Sequence, residues 1–406
     1  MVSALANGVK GGRWYSLMDK VCAPATLEAA WEKVQANNGA AGVDRQSIER
    51  FEARAELYMA ELSTALREDS YQPQPIRRVE IPKGDGRTRP LGIPTVKDRI
   101  VQTAVKFVLE PIFEAAFRPE SHGFRPGRGC QDALREVAQL IEDGYTFVVD
   151  ADFESYFDTI PHERLMQRIE ERVSDGRILD LLRSWLKQDI MCDMQRWTPT
   201  EGTPQGAVIS PLLANIYLHP LDELMAARGY RMVRYADDFV VLCKSREQAE
   251  AVLAIIRAWV AENGLRLHPN KTHVGDCLVK GQGFEFLGYR FEAGQRFVRK
   301  KSLDRLKDTI RAKTRRTRGD SLARIIGDLN PTLRGWFTYF KHAHPRTYIV
   351  LDRFIRRRMR ALLRKQGKRP GFGATHADHQ RWPIAFFAEA GLLALHTAWQ
   401  NARYSR

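Results

Sequence analysis

The sequence has little cysteine. Five occur among 406 residues, at positions 22, 130, 192, 243 and 277. No two stand as Cys-x-x-Cys, which argues against a zinc ribbon, a paired redox centre or a disulfide scaffold. His342, His344, His376, His379 and His396 do not pair with cysteines at metal-site spacing either. Long apolar runs are also missing. The most apolar late stretch, Pro383 to Leu395, is too short to span a bilayer and contains Glu389. Met1 to Gly8 lacks the apolar core of a signal peptide. These absences point to a reduced cytoplasmic setting with no membrane partner. No internal repeat or low-complexity tract is present.

What is there is a globular composition, 44% hydrophobic and 10% aromatic, with a formal net charge of +15. The charge is concentrated. Residues 299–369 hold 23 Lys and Arg against five Asp and Glu, whereas the rest of the chain carries 41 basic and 44 acidic residues. A surplus sustained over that length repels itself unless a polyanion is near, so nucleic acid is the expected partner.

Apolar spacing predicts helices within residues 26–68, 96–117, 162–189, 206–228 and 246–263. Tyr145 to Asp152 reads as a buried strand, Arg231 to Cys243 as a hairpin and Phe284 to Tyr289 as a strand. Arg77 to Pro82 is a short extended segment before the Gly-rich turn Lys83 to Arg89. Beyond about residue 300 the chain reads as helical and basic. Leu351, Phe354, Ile355, Met359, Leu362 and Leu363 form one stripe, with Arg356, Arg357, Arg360 and Arg364 largely off it. The pattern is an α+β core followed by a helical tail.

Asp237 and Asp238 lie between two apolar runs, at the predicted hairpin turn. Two adjacent carboxylates there repel unless a cation compensates them. Asp152 ends another β-rich run, and Asp150 shares its strand face by period two. If that strand lies beside the hairpin, three carboxylates converge as hard-oxygen ligands for Mg2+, the set required for two-metal phosphoryl transfer.

Tyr235-Ala-Asp-Asp238 resembles the catalytic turn of reverse transcriptases. The surrounding blocks resemble the bacterial group II intron-encoded branch of that family. They run through Arg78 to Lys83, Arg89 to Thr95, Asp98-Arg99, Gly123 to Gly127, Asp152 to His162, Gly202 to Gly206, Ser210 to Tyr217, Arg234 to Asp238, Phe286-Leu-Gly288 and Leu333 to Phe340. Together they span about residues 28 to 365.

The resemblance implies a right-hand polymerase of fingers, palm and thumb, with an antiparallel palm sheet. Residues 1–90 would form an N-terminal helical extension and fingers. Residues 91–295 would form the fingers and palm core, and 296–370 a thumb or maturase region. Residues 371–406 would be a short end without an endonuclease, so that a nick or fork for insertion into DNA comes from elsewhere. The implied metal ligands are Asp152, the backbone carbonyl of Phe153, Asp237 and Asp238, holding two Mg2+ ions for which Mn2+ can substitute. Asp152 is preferred to Asp150 because Phe157 follows it at the family spacing.

Phe157 resembles the gate that excludes a ribose 2′-hydroxyl, making dNTPs the substrate. Lys83 and Arg89 resemble residues that hold the triphosphate. Gln205 resembles a nucleotide-pocket residue, although many relatives have a second glycine at the position of Ala207. Lys271 resembles a palm lysine suggested to protonate pyrophosphate, and Phe286 to Gly288 a primer grip. Arg315, Arg316, Arg356, Arg357 and Arg360 fall in the region that binds template–primer duplex and intron RNA, as phosphate contacts.

The implied partners are an RNA template, a DNA primer, dNTPs, group II intron RNA and target DNA, for a monomer or homodimer. Two competing expectations are a splicing factor with a vestigial polymerase and a domesticated relative serving DNA repair or antiphage defence.

Overall fold

The computed structural model describes residues 12–82, 86, 88–193 and 195–404. The strands in chain order are β1 (Ile76–Pro82), β2 (Thr88–Ile93), β3 (Phe147–Ala151), β4 (Ile190–Cys192), β5 (Gln195–Trp197), β6 (Arg231–Tyr235), β7 (Asp238–Cys243), β8 (His273–Asp276), β9 (Phe284–Phe286), β10 (Tyr289–Glu292) and β11 (Gln295–Val298). The chain divides into two compact units, residues up to Asp143 with Val149–Val274, and Gly144–Val148 with Gly275 onwards. The second unit resumes at Gly275, 21 residues before the position 296 at which a thumb or maturase region is expected to begin.

In the first unit, β1 and β2 form an antiparallel hairpin, and β4 adds to β1 in parallel. With β5 the sheet order is β2-β1-β4-β5. The helix Val96–Glu114 is capped by Thr95, whose side chain accepts from Asp98 N. That helix buries Val101, Val105, Val108 and Leu109. A second sheet has the order β6-β7-β3-β8. Its inner strands are apolar runs: Val149, Phe239, Val240, Val241 and Leu242 are all buried, as expected of strands covered on both faces. The helices Ser210–Ala227 and Arg246–Glu262 pack against the hairpin strands β6 and β7.

In the second unit, β9, β10 and β11 form an antiparallel meander. Phe284 to Tyr289 is therefore two strands, not one. Leu287 and Gly288, with φ of +48° and +83°, turn the chain between them, and the left-handed backbone at both residues is what reverses it. The helices Lys300–Lys313, Leu322–Phe340 and Arg346–Gln366 follow. The Tyr289 hydroxyl donates to Tyr339 O and the Tyr348 hydroxyl to Phe340 O, fixing sheet and helices together.

Candidate active site

In the β6–β7 hairpin Tyr235 pairs with Asp238, leaving Ala236 and Asp237 as a two-residue turn. Ala236 has φ of +60°, a conformation that costs a residue bearing a Cβ and that glycine fills more readily. Arg234 supports it. Its side chain is fully buried. Nε and Nη2 donate to the Asp222 carboxylate, and Nη1 donates to Asn215 Oδ1 and to Ala236 O, each at 2.9 Å. Burial works against the guanidinium charge, but Asp222, Tyr156 and Asp237 together outweigh it and raise the Arg234 pKa.

The other side of the turn is closed by backbone. His122 N donates to Arg234 O at 2.8 Å, and Arg234 N donates to Glu120 O at 3.0 Å. Asn215 Nδ2 donates to Gly123 O at 2.8 Å. Gly123 lies so close that a Cβ there would overlap Ala236 N, so any side chain would push the turn away.

Asp152 follows directly on β3, the neighbour of β7. Its carbonyl accepts from His268 N at 2.7 Å, and Glu154 N donates to Arg266 O at 2.9 Å. Between them Phe153 is buried, its ring 5.4 Å from Phe239 and 5.2 Å from Tyr156. The Asp152 carboxylate lies 2.7 Å from Lys271 Nζ, an ion pair about half exposed on both sides. Burial raises the Asp237 carboxyl above the ordinary aspartate value. The Asp152 charge adds to the rise, while Arg234 and Lys271 oppose it.

Among the described residues no three His, Cys, Asp or Glu side chains are gathered as a metal-holding group. Of the three expected carboxylates, Asp152 follows β3, Asp237 lies in the turn and Asp238 begins β7, and Asp152 is engaged by Lys271. The chemistry still fits a divalent cation, with hard oxygen donors on adjoining strands and an ammonium already drawn to one of them.

Gln205 Nε2 donates to the Asp158 carboxylate at 3.2 Å, and Gln205 O accepts from Gly92 N at 2.6 Å. The glycine that this packing requires is Gly206, at φ of +105°, where a Cβ would meet Gly92 O and the Leu91 side chain. Ala207 is buried beside it. Tyr156 is buried, its hydroxyl donating to Ala214 O at 2.7 Å. Phe157 is the accessible one of the two, half-buried with its edge toward Phe124 at 6.4 Å. Arg89 is exposed at the start of β2. Lys83 lies outside the described residues.

In the second unit, Arg315 and Arg357 are exposed. Arg316 stacks its guanidinium 4.8 Å from the Phe372 ring. Arg356 is half-buried. Arg360 departs from the expected free face. It is buried, its Nε donating to Trp382 O at 3.0 Å and its guanidinium lying 5.5 Å from the Phe387 ring. Arg364 is likewise engaged, with Asp378 at 2.7 Å. The segment after Pro370 folds over that side of the helix, which helical spacing alone could not show.

Asn215 and Arg234 lie in blocks that carry the resemblance but have no expected role, and Asp222 lies outside them. The available signal was a lone arginine inside an apolar strand run, which is costly unless paired.

A family model for reverse transcriptase, the RNA-dependent DNA polymerases, matches residues 81–291. The chain belongs to the reverse transcriptase family. A second model, for the group II intron maturase-specific domain, matches residues 303–382. Both domains imply nucleic-acid partners, RNA among them. Protein YkfC of Escherichia coli K12 is 37% identical to this reverse transcriptase over 292 residues, 61% of this chain and 75% of that protein. The group II intron-encoded protein LtrA of Lactococcus lactis is 36% identical over 205 residues, 50% of this chain and 34% of that protein. The chain thus spans three quarters of the first relative and about a third of the second. A solved telomerase from Candida albicans overlaps 84% of this chain and 67% of its own at 12% identity, with a TM-score of 0.45. Among the described residues no helix is long and apolar enough to cross a membrane.

Proposed function

We propose that this reverse transcriptase extends a DNA primer along an RNA template with dNTPs, and that its C-terminal unit grips group II intron RNA for splicing and for mobility into target DNA. The observation that carries the reading is the clamped Ala236–Asp237 turn on the strand next to Asp152. A turn strained at Ala236, fixed by a buried guanidinium and closed by Gly123, holds acidic groups in place before any ligand arrives.

Asp152, Asp237, Asp238 and the Phe153 carbonyl would hold two Mg2+ ions. Bound there, the ions supply activation of the primer 3′-hydroxyl and stabilisation of the leaving pyrophosphate. The protein side chains do the rest. Lys83 and Arg89 neutralise the triphosphate. Gln205, tied to Asp158, lines the nucleotide pocket. Phe157 excludes a 2′-hydroxyl. Lys271, paired with Asp152, would give a proton to pyrophosphate.

Primer extension with Mg2+, dNTPs and an RNA template tests the assignment. Asp237→Asn and Asp238→Asn are each expected to lower the rate by about 10²–10³-fold or more, with unfolding curves close to wild type. Unchanged extension in either variant would remove that residue from the catalytic set.

A further inference from the structure

The second unit holds a cavity of about 600 Å³ that none of these roles uses. Its wall includes Arg296 on β11, Lys341, His342 and His344 in the turn after the helix Leu322–Phe340, and Trp399 and Arg403 on the last helix, Leu395–Tyr404. Among the described residues no carboxylate lines it. Three cations, two histidines and an indole therefore face one space whose lining brings no negative charge.

The walls are built rather than incidental. His344 N donates to Arg296 O at 2.7 Å, tying the interhelical turn to β11. The Asp352 carboxylate is buried and accepts from Leu395 N at 2.9 Å and His396 N at 3.0 Å, fixing the start of the last helix. Trp399 packs near Tyr348, with ring centres 6.3 Å apart. The Arg403 guanidinium lies 5.0 Å from the indole, and the Arg403 side chain is exposed. A cation resting on an indole marks a flat, electron-rich surface. A base can stack on the same surface while an exposed guanidinium turns to a phosphate.

We infer that this cavity is a nucleotide site, taking one phosphate on Arg296, Lys341 and Arg403 and its unpaired base on Trp399. The ligand chemistry is that of a nucleotide, supplied either by an unstacked residue of an RNA strand or by a free mononucleotide. The RNA source rests on the reading of this unit as an RNA grip. Unpaired bases are the parts of RNA that offer a free π-face, whereas A-form duplex offers phosphates and 2′-hydroxyls.

The test uses the full chain, with a short single-stranded RNA carrying 2-aminopurine, a duplex RNA of the same length, and AMP. Wild type is expected to quench 2-aminopurine on binding. Trp399→Leu is expected to weaken single-strand binding about tenfold and to lose most of the quench, leaving duplex binding unchanged. Arg296→Gln with Lys341→Gln is expected to reduce the salt slope for single strands by up to about 0.7, the one phosphate contact. This second variant serves if Trp399→Leu unfolds. Displacement of the labelled strand by AMP would assign the site to free nucleotide, and failure of AMP to displace it would assign it to RNA. If wild type binds RNA with equal affinity and quench in both variants, the cavity assignment falls while the RNA-grip reading stands. If wild type binds neither RNA nor AMP, both fall.

Discussion

Two groups of arginine show how one side chain serves opposite ends. In the first unit Arg234 is sealed from water and spends its donors on Asp222, Asn215 and the Ala236 carbonyl. Its charge is consumed inside the protein, and the product is a fixed backbone turn. In the second unit Arg315 and Arg357 are exposed, in a segment where 23 basic residues face five acidic ones. Their charge is left for a partner. A buried, paired arginine is a structural member whose loss strands its carboxylate. An exposed one contributes little to stability and much to polyanion binding.

The largest effect that separates the two is expected from Arg234→Met. It leaves the Asp222 carboxylate buried and alone, so stability in denaturant should fall by about 3–5 kcal/mol, and primer extension should fall with it. Adding Asp222→Leu should recover much of the stability but not the activity, because Ala236 O still lacks its donor. Arg357→Met should leave stability within about 0.5 kcal/mol. An Arg234→Met protein as stable as wild type would break the comparison.

Arg360 sharpens it, because it sits in the basic segment but is built like Arg234. Arg360→Gln should lower stability by about 1–3 kcal/mol, as Trp382 O loses its donor, with little change in the salt dependence of RNA binding. Arg357→Gln should do the reverse, flattening the salt slope by about 0.7–0.9 with no loss of stability. Filter binding across a salt series, beside unfolding curves, reads both.

Lys271 is intermediate, an exposed cation on a half-exposed carboxylate. Lys271→Met should change stability by less than about 1 kcal/mol while lowering the Mg2+ concentration that half-saturates extension, since the ammonium no longer competes for Asp152. A raised Mg2+ requirement would contradict that competition.

A pH-dependent effect concerns Asp98. Burial pushes its carboxyl up to about 6, against hydrogen bonds from Tyr71, Thr95 and Gln74 that pull it down. A folded-state value above the unfolded one means that this group favours the folded state below about pH 4. That contribution is then lost as pH rises through about 6. The stability of wild type relative to Asp98→Asn should therefore decline between pH 4 and 6 and level off above. A flat difference would show that Asp98 stays ionised throughout.

Much of the site was legible in the sequence. The hairpin around Asp237 and Asp238 followed from two β-rich runs with polar residues between them, and Asp152 from a third. The resemblance then gave these carboxylates a chemistry. Less legible was the partitioning of neighbouring residues. Tyr156 and Phe157 are adjacent aromatics, and only packing shows that Tyr156 belongs to the core. Phe284 to Tyr289 reads as continuous β-sequence, yet Leu287 and Gly288 turn it back.

By itself the sequence determined the α+β class, the acidic turn and the location of the excess positive charge, because each is carried by residue type and local period. Tertiary structure alone decided that Arg234 holds Ala236, that Gly123 closes on the turn, and that Arg360 is covered by the segment after Pro370. Each of these depends on which distant backbone meets a side chain. A polar group out of water is stable only if its partner arrives with correct geometry, and local spacing does not encode that arrival.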